Sequence, residues 1–335
     1  MRFIRLVFFF CTFLSFTACN QDPVFYAISL EVEPRDPRVQ GTPTAMVTFD
    51  GTLYVASRFS NTIYRTDGSA WDSFSSEDGK AIIELAATTS GIYALMGDVK
   101  TTELWKYNNS SWSLVTNNTS YTQLQTIYGV GTDLFIGVMK SPSSYAILLY
   151  NENGTGNIEI LENNTGGILT GAASDGTTVY LGTAGGVYKF ESSTLTSVKN
   201  INVCGMITVG TTVIAATTNG IYSSADTFAT QHTSVSCSGA LALYGTGSSP
   251  TLLLVGLNGG GYGEIQIENG STITNWSVYA PGDGDPSSIS DYDQYSVSLE
   301  IYPLTSLKHF KNILFASTLQ KGLWSYRDSQ WNTEE

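Results

Sequence analysis

A short apolar segment recurs seven times along the chain, and each copy is followed within a few residues by a second apolar pair. Each segment holds four or five apolar or small residues, with polar and turn-forming residues on both sides. Runs of this length, bounded by Gly, Asn, Asp and Ser, are typical of buried β-strands. The seven segments are Leu53–Ser57, Ile92–Met96, Leu134–Val138, Val179–Thr183, Val213–Thr217, Leu253–Leu257 and Leu314–Thr318.

The second repeat shows what each unit contains. Ala81–Ala87 precedes the recurring segment Ile92–Met96, and Leu104–Tyr107 and Trp112–Val115 follow it, with turn residues between them. This pattern predicts four antiparallel strands in a meander. The third strand recurs in all seven units, as Ile63–Tyr64, Leu104–Trp105, Leu148–Leu149, Val187–Tyr188, Ile221–Tyr222, Gly261–Tyr262 and Leu323–Trp324.

The spacing of the repeats identifies the architecture. The recurring segments start 39, 42, 45, 34, 40 and 61 residues apart. Intervals near 40 residues are typical of propeller blades, so the chain is predicted to be all-β, a seven-bladed β-propeller of four-stranded antiparallel blades spanning 41–335. The last interval contains an insertion at about 280–300.

Two positions within the recurring segment predict how the blades pack. Its fourth residue is small in six of the seven units, with Leu95 as the exception, so that neighbouring blades can approach closely. The residue two positions earlier lies on the same face and is aromatic in five units. Aromatic residues can also form sugar-binding surfaces, but their periodic recurrence favours packing between blades. These aromatic residues are Tyr54, Tyr93, Phe135, Tyr180 and Phe315.

The N-terminus has the features of an export signal. Arg2 and Arg5 precede an apolar stretch, Leu6–Phe16, which is shorter than the roughly 20 residues of a membrane span. Leu14–Cys19 resembles the relaxed lipobox of spirochaete lipoproteins. The resemblance implies a signal peptide over 1–18, with diacylglycerol and an N-acyl chain on Cys19 and no other cofactor. An ordinary cleaved signal with an incidental cysteine is the alternative.

The lipobox also implies a location. Residue 20 is Asn rather than the Asp that retains such lipoproteins in the inner membrane, so the expected location is the bacterial outer membrane, on its periplasmic or its surface side. Residues 19–40 then form a tether to the membrane. Within them, Phe25–Val32 alternates like a strand and competes with the segment around Trp331 for the outer edge of the last blade.

Charge argues against one class of partner. Without Arg2 and Arg5, 14 of the 16 basic residues remain against 29 acidic ones, a formal charge of −15. Binding to nucleic acid requires clustered Lys and Arg, which the sequence lacks. A monomeric propeller that binds a protein or a glycan, and a membrane only through its lipid, is therefore expected.

Two cysteines remain in the processed chain after Cys11 leaves with the signal and Cys19 takes lipid. Cys204 and Cys237 occupy the innermost strands of successive repeats. A disulfide between these blades is conceivable in an oxidising compartment, and two separate buried thiols are the alternative.

The sequence contains no recognisable catalytic set. His232 and His309 are far apart and lack the spacing of a zinc site. A sialidase-like site needs converging arginines, and no triad or phosphate-binding loop is present. No catalytic residue is therefore predicted, although a pair of glycosidase carboxylates stays open. The arginines after the signal are Arg35, Arg38, Arg58, Arg65 and Arg327.

The insertion before the seventh unit is the one local departure from the repeat. It is rich in carboxylates and contains two tyrosines, which suggests a recognition loop or a weak calcium site, although its spacing does not match an EF-hand. A solvated hairpin extension is the alternative. The candidate residues are Asp283, Asp285, Asp291, Tyr292, Asp293 and Tyr295.

The sequence therefore predicts a lipid-anchored envelope protein whose propeller is a non-catalytic scaffold for binding a protein or a glycan. Two alternatives remain open. One is a carbohydrate-active hydrolase or lyase on a propeller fold, and the other is a scaffold in outer-membrane assembly.

Overall fold

The computed structural model describes residues 38–334, except for 99–100, 117–122, 152–157, 163–165, 246–248, 282–298, 300–301 and 328–329. The described residues form 26 strands in seven separate antiparallel sheets. Two single-turn 3₁₀ segments, Glu77–Gly79 and Ser224–Asp226, follow the first and fifth sheets. No helix in this part of the chain is long and apolar enough to cross a bilayer. The predicted all-β, seven-bladed propeller is confirmed.

Each blade is a meander whose strands follow one another in chain order. The first strands are β1 (Pro43–Phe49), β5 (Ile82–Thr88), β9 (Gln123–Val130), β13 (Leu169–Ser174), β17 (Val203–Val209), β20 (Cys237–Tyr244) and β23 (Leu304–Phe310). The second strands are β2 (Thr52–Ser57), β6 (Gly91–Gly97), β10 (Asp133–Ser141), β14 (Val179–Thr183), β18 (Thr212–Thr217), β21 (Leu252–Leu257) and β24 (Ile313–Thr318). Together they contain all seven recurring segments of the sequence.

The outer strands complete the blades. The third strands are β3 (Thr62–Thr66), β7 (Thr102–Tyr107), β11 (Ser144–Asn151), β15 (Gly186–Glu191), β19 (Ile221–Ser223), β22 (Tyr262–Gln266) and β25 (Gly322–Arg327). The fourth strands are β4 (Trp71–Ser75), β8 (Trp112–Thr116), β12 (Ile158–Glu162), β16 (Thr194–Lys199) and β26 (Gln330–Thr333).

Blades five and six correct the prediction of four strands per blade, because only three strands pair in each. In blade five, the 3₁₀ turn and the left-handed backbone of Thr227 and Phe228 divert the chain, and a single bridge from Thr233 to Ile221 replaces the fourth strand. In blade six, one bridge from Tyr279 to Glu264 does the same. Local turns at these two edges thus override the repeat.

The seven first strands form the inner wall of the ring. Each packs beside the first strand of the next blade, in the order β1, β5, β9, β13, β17, β20, β23 and back to β1. Side chains on the second and third strands fill the wedges between blades, since the space widens outward from the axis. The core is therefore a series of interfaces between blades.

The recurring aromatic residues lie in these interfaces, which confirms the predicted packing role. Each meets an aromatic ring of the next blade edge-on, with ring centroids 5.4 to 6.4 Å apart. Such a pair contributes about 0.5–1.5 kcal/mol beyond the area that it buries. The pairs are Tyr54–Tyr107, Tyr93–Tyr150, Phe135–Phe190, Tyr180–Phe228 and Phe315–Trp71.

The small residues at the fourth position also act as predicted in several blades. A Cβ atom on Gly137 would lie 2.8 Å from Cβ of Leu169 in the next blade, and one on Gly182 would lie 2.5 Å from Cγ1 of Val203. The Ser317 hydroxyl donates to the carbonyl of Pro43 in blade one at 2.6 Å. Gly256 differs, because all three of its nearest atoms belong to the first strand of its own blade and none to the next blade.

Replacing Gly182 with Ala is expected to destabilise the protein by about 2 kcal/mol, because overpacking a close-packed interface forces the neighbouring side chains to shift. The added methyl would also lie 2.9 Å from Sδ of Met206. Urea denaturation measures the loss. Gly259→Ala is the matched control, since a Cβ there meets nothing within 4 Å. Equal unfolding midpoints for the two variants would show that the interface tolerates the methyl.

The ring closes between blades seven and one through Glu334, a contact that the sequence did not indicate. The C-terminal strand β26 takes the outer edge of blade seven, whereas Phe25–Val32 lies outside the described residues. The Glu334 carboxylate is buried and accepts hydrogen bonds from the Ser325 hydroxyl at 2.5 Å, the indole of Trp71 in blade one at 2.7 Å, and the guanidinium of Arg327. Its backbone carbonyl accepts from Val39 at 3.0 Å.

Candidate functional site: the central channel and its mouth

The first strands enclose a central channel of about 810 Å³. All seven contribute to its lining, together with Asn258, Pro303 and Leu319 at one end. The hairpin turns between first and second strands lie at the opposite end and contribute no lining residue. The end lined by Asn258, Pro303 and Leu319 belongs to the face that carries the loops before the first strands and between the second and third strands, which we call the mouth face.

Strand register places one acid at a level of the channel where other blades have small residues. Ala45, Gly171, Gly205 and Ser306 each pair with the small fourth residue of the neighbouring second strand. In blade two the corresponding residue is Glu84, and its partner is Leu95, the exception among the fourth residues. Blade two therefore departs from the repeat on both strands at the same level.

Burial in the channel changes the protonation of Glu84. Removal from bulk water raises the pKa of Glu84 to about 8, because the charged form loses hydration. A hydrogen bond from the Leu85 backbone N–H and the charge of Arg58 oppose this effect only in part. Glu84 is thus mostly an uncharged carboxylic acid at neutral pH, able to donate a hydrogen bond as well as to accept one.

A base and a phenol share the channel with this acid. Lys308 on β23 lines it, and burial lowers the pKa of Lys308. In the part of the chain that the structure describes, Lys308 has no ion pair. Tyr128 on β9 also lines the channel, and burial followed by the negative charge of Glu84 raises its pKa. Perturbed groups of this kind in a cavity are a signature of functional sites.

The mouth face also carries two exposed apolar side chains. Among the described residues only three large hydrophobic side chains are strongly exposed, and two of them, Phe59 at 57% and Leu319 at 59%, lie in loops between second and third strands. The backbone N–H of Phe59 donates a hydrogen bond to the Ile82 carbonyl at 2.6 Å. The Leu319 carbonyl accepts one from the Thr42 hydroxyl at 3.1 Å. The Arg58 guanidinium lies 5.1 Å from the centroid of the Phe59 ring.

The residues predicted for recognition and lipidation lie outside the described part of the chain. These are Asp283, Asp285, Asp291, Tyr292, Asp293 and Tyr295 of the insertion, and Cys19. The residues after the insertion can be placed. Tyr302 accepts a backbone hydrogen bond from Gly261 at 3.2 Å, and Pro303 lines the mouth of the channel. After the insertion, the chain therefore continues into the ring from the mouth face.

Cys204 and Cys237 lie on the first strands of blades five and six, as predicted. Cys204 faces the channel, Cys237 is buried, and both are free thiols. Burial, with a smaller contribution from the neighbouring Cys204, raises the pKa of Cys237 to about 12, and burial also raises the pKa of Cys204. The structure thus contains both cysteines in their reduced form, and a disulfide between them in an oxidising compartment stays a prediction.

The histidines and arginines do not converge. His232 in blade five stacks on Trp276 with ring centroids 4.1 Å apart, whereas His309 in blade seven packs against Tyr244. Arg65 pairs with Asp72 at 2.6 Å on the outer strands of blade one, Arg327 pairs with Glu334, and Arg58 lies at the mouth. Within the described ranges, no group of three or more His, Cys, Asp or Glu residues is placed to hold a metal ion.

Comparison with known proteins identifies the fold and no family. No protein-family model matches the chain, and no curated protein matches its sequence. Among solved structures, the GH74 enzyme of Niastella koreensis is similar, with 13% identity, a TM-score of 0.62, and coverage of 88% of this chain and 54% of that one. Sqt1 of Saccharomyces cerevisiae has 12% identity and a TM-score of 0.55 over 87% of this chain and 84% of its own.

An extracellular domain is also similar. It belongs to a one-component system of B. thetaiotaomicron and has 14% identity and a TM-score of 0.58 over 85% of this chain. This chain spans 38% of that protein. At such low identities, these likenesses establish the propeller fold alone.

Proposed function

We propose that the protein is an envelope lipoprotein, anchored through Cys19, whose propeller binds a protein partner at the mouth face. The observation that carries this proposal is the concentration of distinctive features on one face of the ring. Loop residues line the end of the channel there, Tyr302 and Pro303 join the ring there, and Phe59 and Leu319 are exposed there on adjacent blades. The likeness to an extracellular domain is compatible with an envelope location.

The chemistry of this face favours a protein over a glycan. An aliphatic side chain such as Leu319 offers nothing that a hydroxyl-rich sugar needs, whereas aromatic residues and Arg are enriched where proteins meet. Arg58 and Phe59 form such a pair, and backbone hydrogen bonds hold the loops that present them. Side chains that are already in position when the partner arrives lose little conformational entropy on binding.

Capture of partners from the native membrane fraction tests the proposal. The wild type is expected in this fraction, and a Cys19→Ser variant is not. Phe59→Asp and Leu319→Asp are each expected to weaken partner binding about 30-fold, because a charge replaces an interface anchor worth roughly 2 kcal/mol. Leu114→Asp is the matched control, since Leu114 is 44% exposed but lies on the outer strand β8.

Three outcomes would contradict the proposal. The partner could bind the double variant of Phe59 and Leu319 as tightly as the wild type. A purified glycan could bind the wild type and lose affinity in the same variants, which would replace a protein ligand by a sugar. Turnover of a glycan by the purified protein would favour a hydrolase or lyase.

A further inference from the structure

The central channel contains an acid and a base that do not neutralise each other. Both Glu84 and Lys308 line it, and neither has an ion pair among the described residues. Charged groups removed from water without a partner destabilise a folded protein. Other blades avoid this cost, with Ala45, Gly171 and Ser306 at the level of Glu84.

Register shows why the two groups stay apart. Glu84 pairs with Leu95, the fourth residue of its recurring segment, whereas Lys308 pairs with Phe315, the second residue of its own. Two residues along a strand correspond to about 7 Å, so Lys308 lies deeper below the mouth than Glu84. The strands that carry them, β23 and β5, are also separated by β1.

The space around these groups suits a small ligand. At about 810 Å³, the channel falls within the range of cavities that enclose small molecules. The Ser306 hydroxyl adds an uncharged hydrogen-bonding group to its wall, whereas the hydroxyls of Thr170 and Thr305 donate to the carbonyls of Val203 and Pro43 in the neighbouring blades. Tyr128, on the blade next to Glu84, lies at the same level as Lys308, because it pairs with Phe135, the second residue of that segment.

We infer that the channel binds a zwitterionic amino acid or short peptide of up to three residues, with its free ammonium group at Glu84 and its free carboxylate at Lys308. Such a ligand supplies the missing partner of each side chain at once. It would enter from the mouth face, past Asn258 and Leu319. This site lies below the exposed apolar surface proposed to bind a protein and shares with it only Leu319, at the mouth.

Protonation provides a signature of the site. With a pKa of about 8, Glu84 holds a proton at pH 7, and an ammonium group that binds it favours the ionised form. Ionisation of Glu84 on binding at pH 7 should therefore release nearly one proton from this side chain. Affinity should rise by up to tenfold per pH unit from pH 6, level off near pH 8, and fall above it as the ligand amine loses its proton. Arg58, Tyr128, Cys204 and Lys308 are the other ionisable groups near Glu84 or along the channel.

Calorimetry on the full lipoprotein in detergent tests the inference. The probes are alanine, Ala-Ala and Ala-Ala-Ala, each also with an acetylated amine or an amidated carboxylate. At least one free zwitterion is expected to bind. Acetylation of its amine and Glu84→Gln should each weaken binding at least tenfold. The acetylated probe should bind the Glu84→Gln variant no more weakly than it binds the wild type, because both changes remove the same contact. Amidation of its carboxylate and Lys308→Met should behave in the same way.

The inference fails if no free probe binds at millimolar concentration, if the blocked probes bind as tightly as the free ones, or if both variants bind like the wild type. Near-ultraviolet circular dichroism verifies that the variants keep the native fold. Phe59→Asp should leave probe binding unchanged, since Phe59 does not line the channel, so failure of this inference and failure of the proposed protein partner are separate results.

Discussion

Glu84→Gln is expected to stabilise the protein by roughly 5 kcal/mol at pH 9 and to leave its stability unchanged at pH 4. The folded-state pKa of Glu84 is about 8, above the value of 4.5 expected for the unfolded chain. Below pH 4.5 both states hold the proton, so the acid and the amide are equivalent. As pH rises toward 8, the unfolded chain ionises first, and the folded wild type loses stability at about 1.4 kcal/mol per pH unit.

Urea denaturation of wild type and variant at pH 4, 6, 7.5 and 9 measures this effect. The difference between the two unfolding free energies should grow through the window from pH 4.5 to 8 and then level off. Glu191→Gln is the control, because its carboxylate lies on the surface beside Lys189 at 2.7 Å and should show no comparable trend. A constant difference across the four pH values would mean that Glu84 ionises normally in the folded channel.

Glu334→Ala is expected to lower the unfolding free energy by about 3 kcal/mol, because it removes the buried carboxylate that joins blade seven to blade one. Glu334 is only 1% exposed, and the change leaves the Ser325 hydroxyl, the Trp71 indole and the Arg327 guanidinium without this acceptor. A propeller has a single closing interface, so weakening it affects the cooperativity of the whole ring.

Chemical denaturation and limited proteolysis near Val39 measure the effect on ring closure. The backbone N–H of Val39 donates to Glu334, so this segment should become the first site of cleavage in the variant. Asp72→Ala serves as the control, because the Asp72–Arg65 pair is exposed and such pairs contribute little to stability. If Glu334→Ala unfolds at the same denaturant concentration as the control, the closure depends on the strand pairing of β26 instead.

The two channel predictions are linked. Glu84→Gln should give a more stable protein that no longer binds a zwitterion, because the amide removes both the cost of burying the acid and the charge that recognises an ammonium group. Residues at binding sites often lower the stability of the folded protein in return for recognition of the ligand. A variant that gained stability and kept its affinity for the peptide would show that the acid costs stability without recognising the ligand.

Two residues of the candidate site can be recognised in the sequence by comparing the seven repeats. Leu95 is the large residue at a position where six other repeats have a small one, and its cross-strand partner is Glu84. The same comparison across repeats, applied to the first strands, would have selected Lys308 as a second charged residue. Glu334 cannot be recognised in this way, because nothing in the sequence distinguishes this buried glutamate from the many exposed acidic residues.

The sequence by itself determined the strand pattern, the number of blades, the aromatic packing between blades and the placement of Cys204 and Cys237 on neighbouring inner strands. These follow from the alternation of apolar and polar residues within each strand and from a repeat of about 40 residues. Both patterns depend only on residues that are close together in the sequence or equivalent between repeats. Only the tertiary structure decided which polar residues share an environment. Glu84 and Lys308 meet in one channel because seven strands converge on a common axis, and removal from water changes the protonation of their side chains only after that convergence.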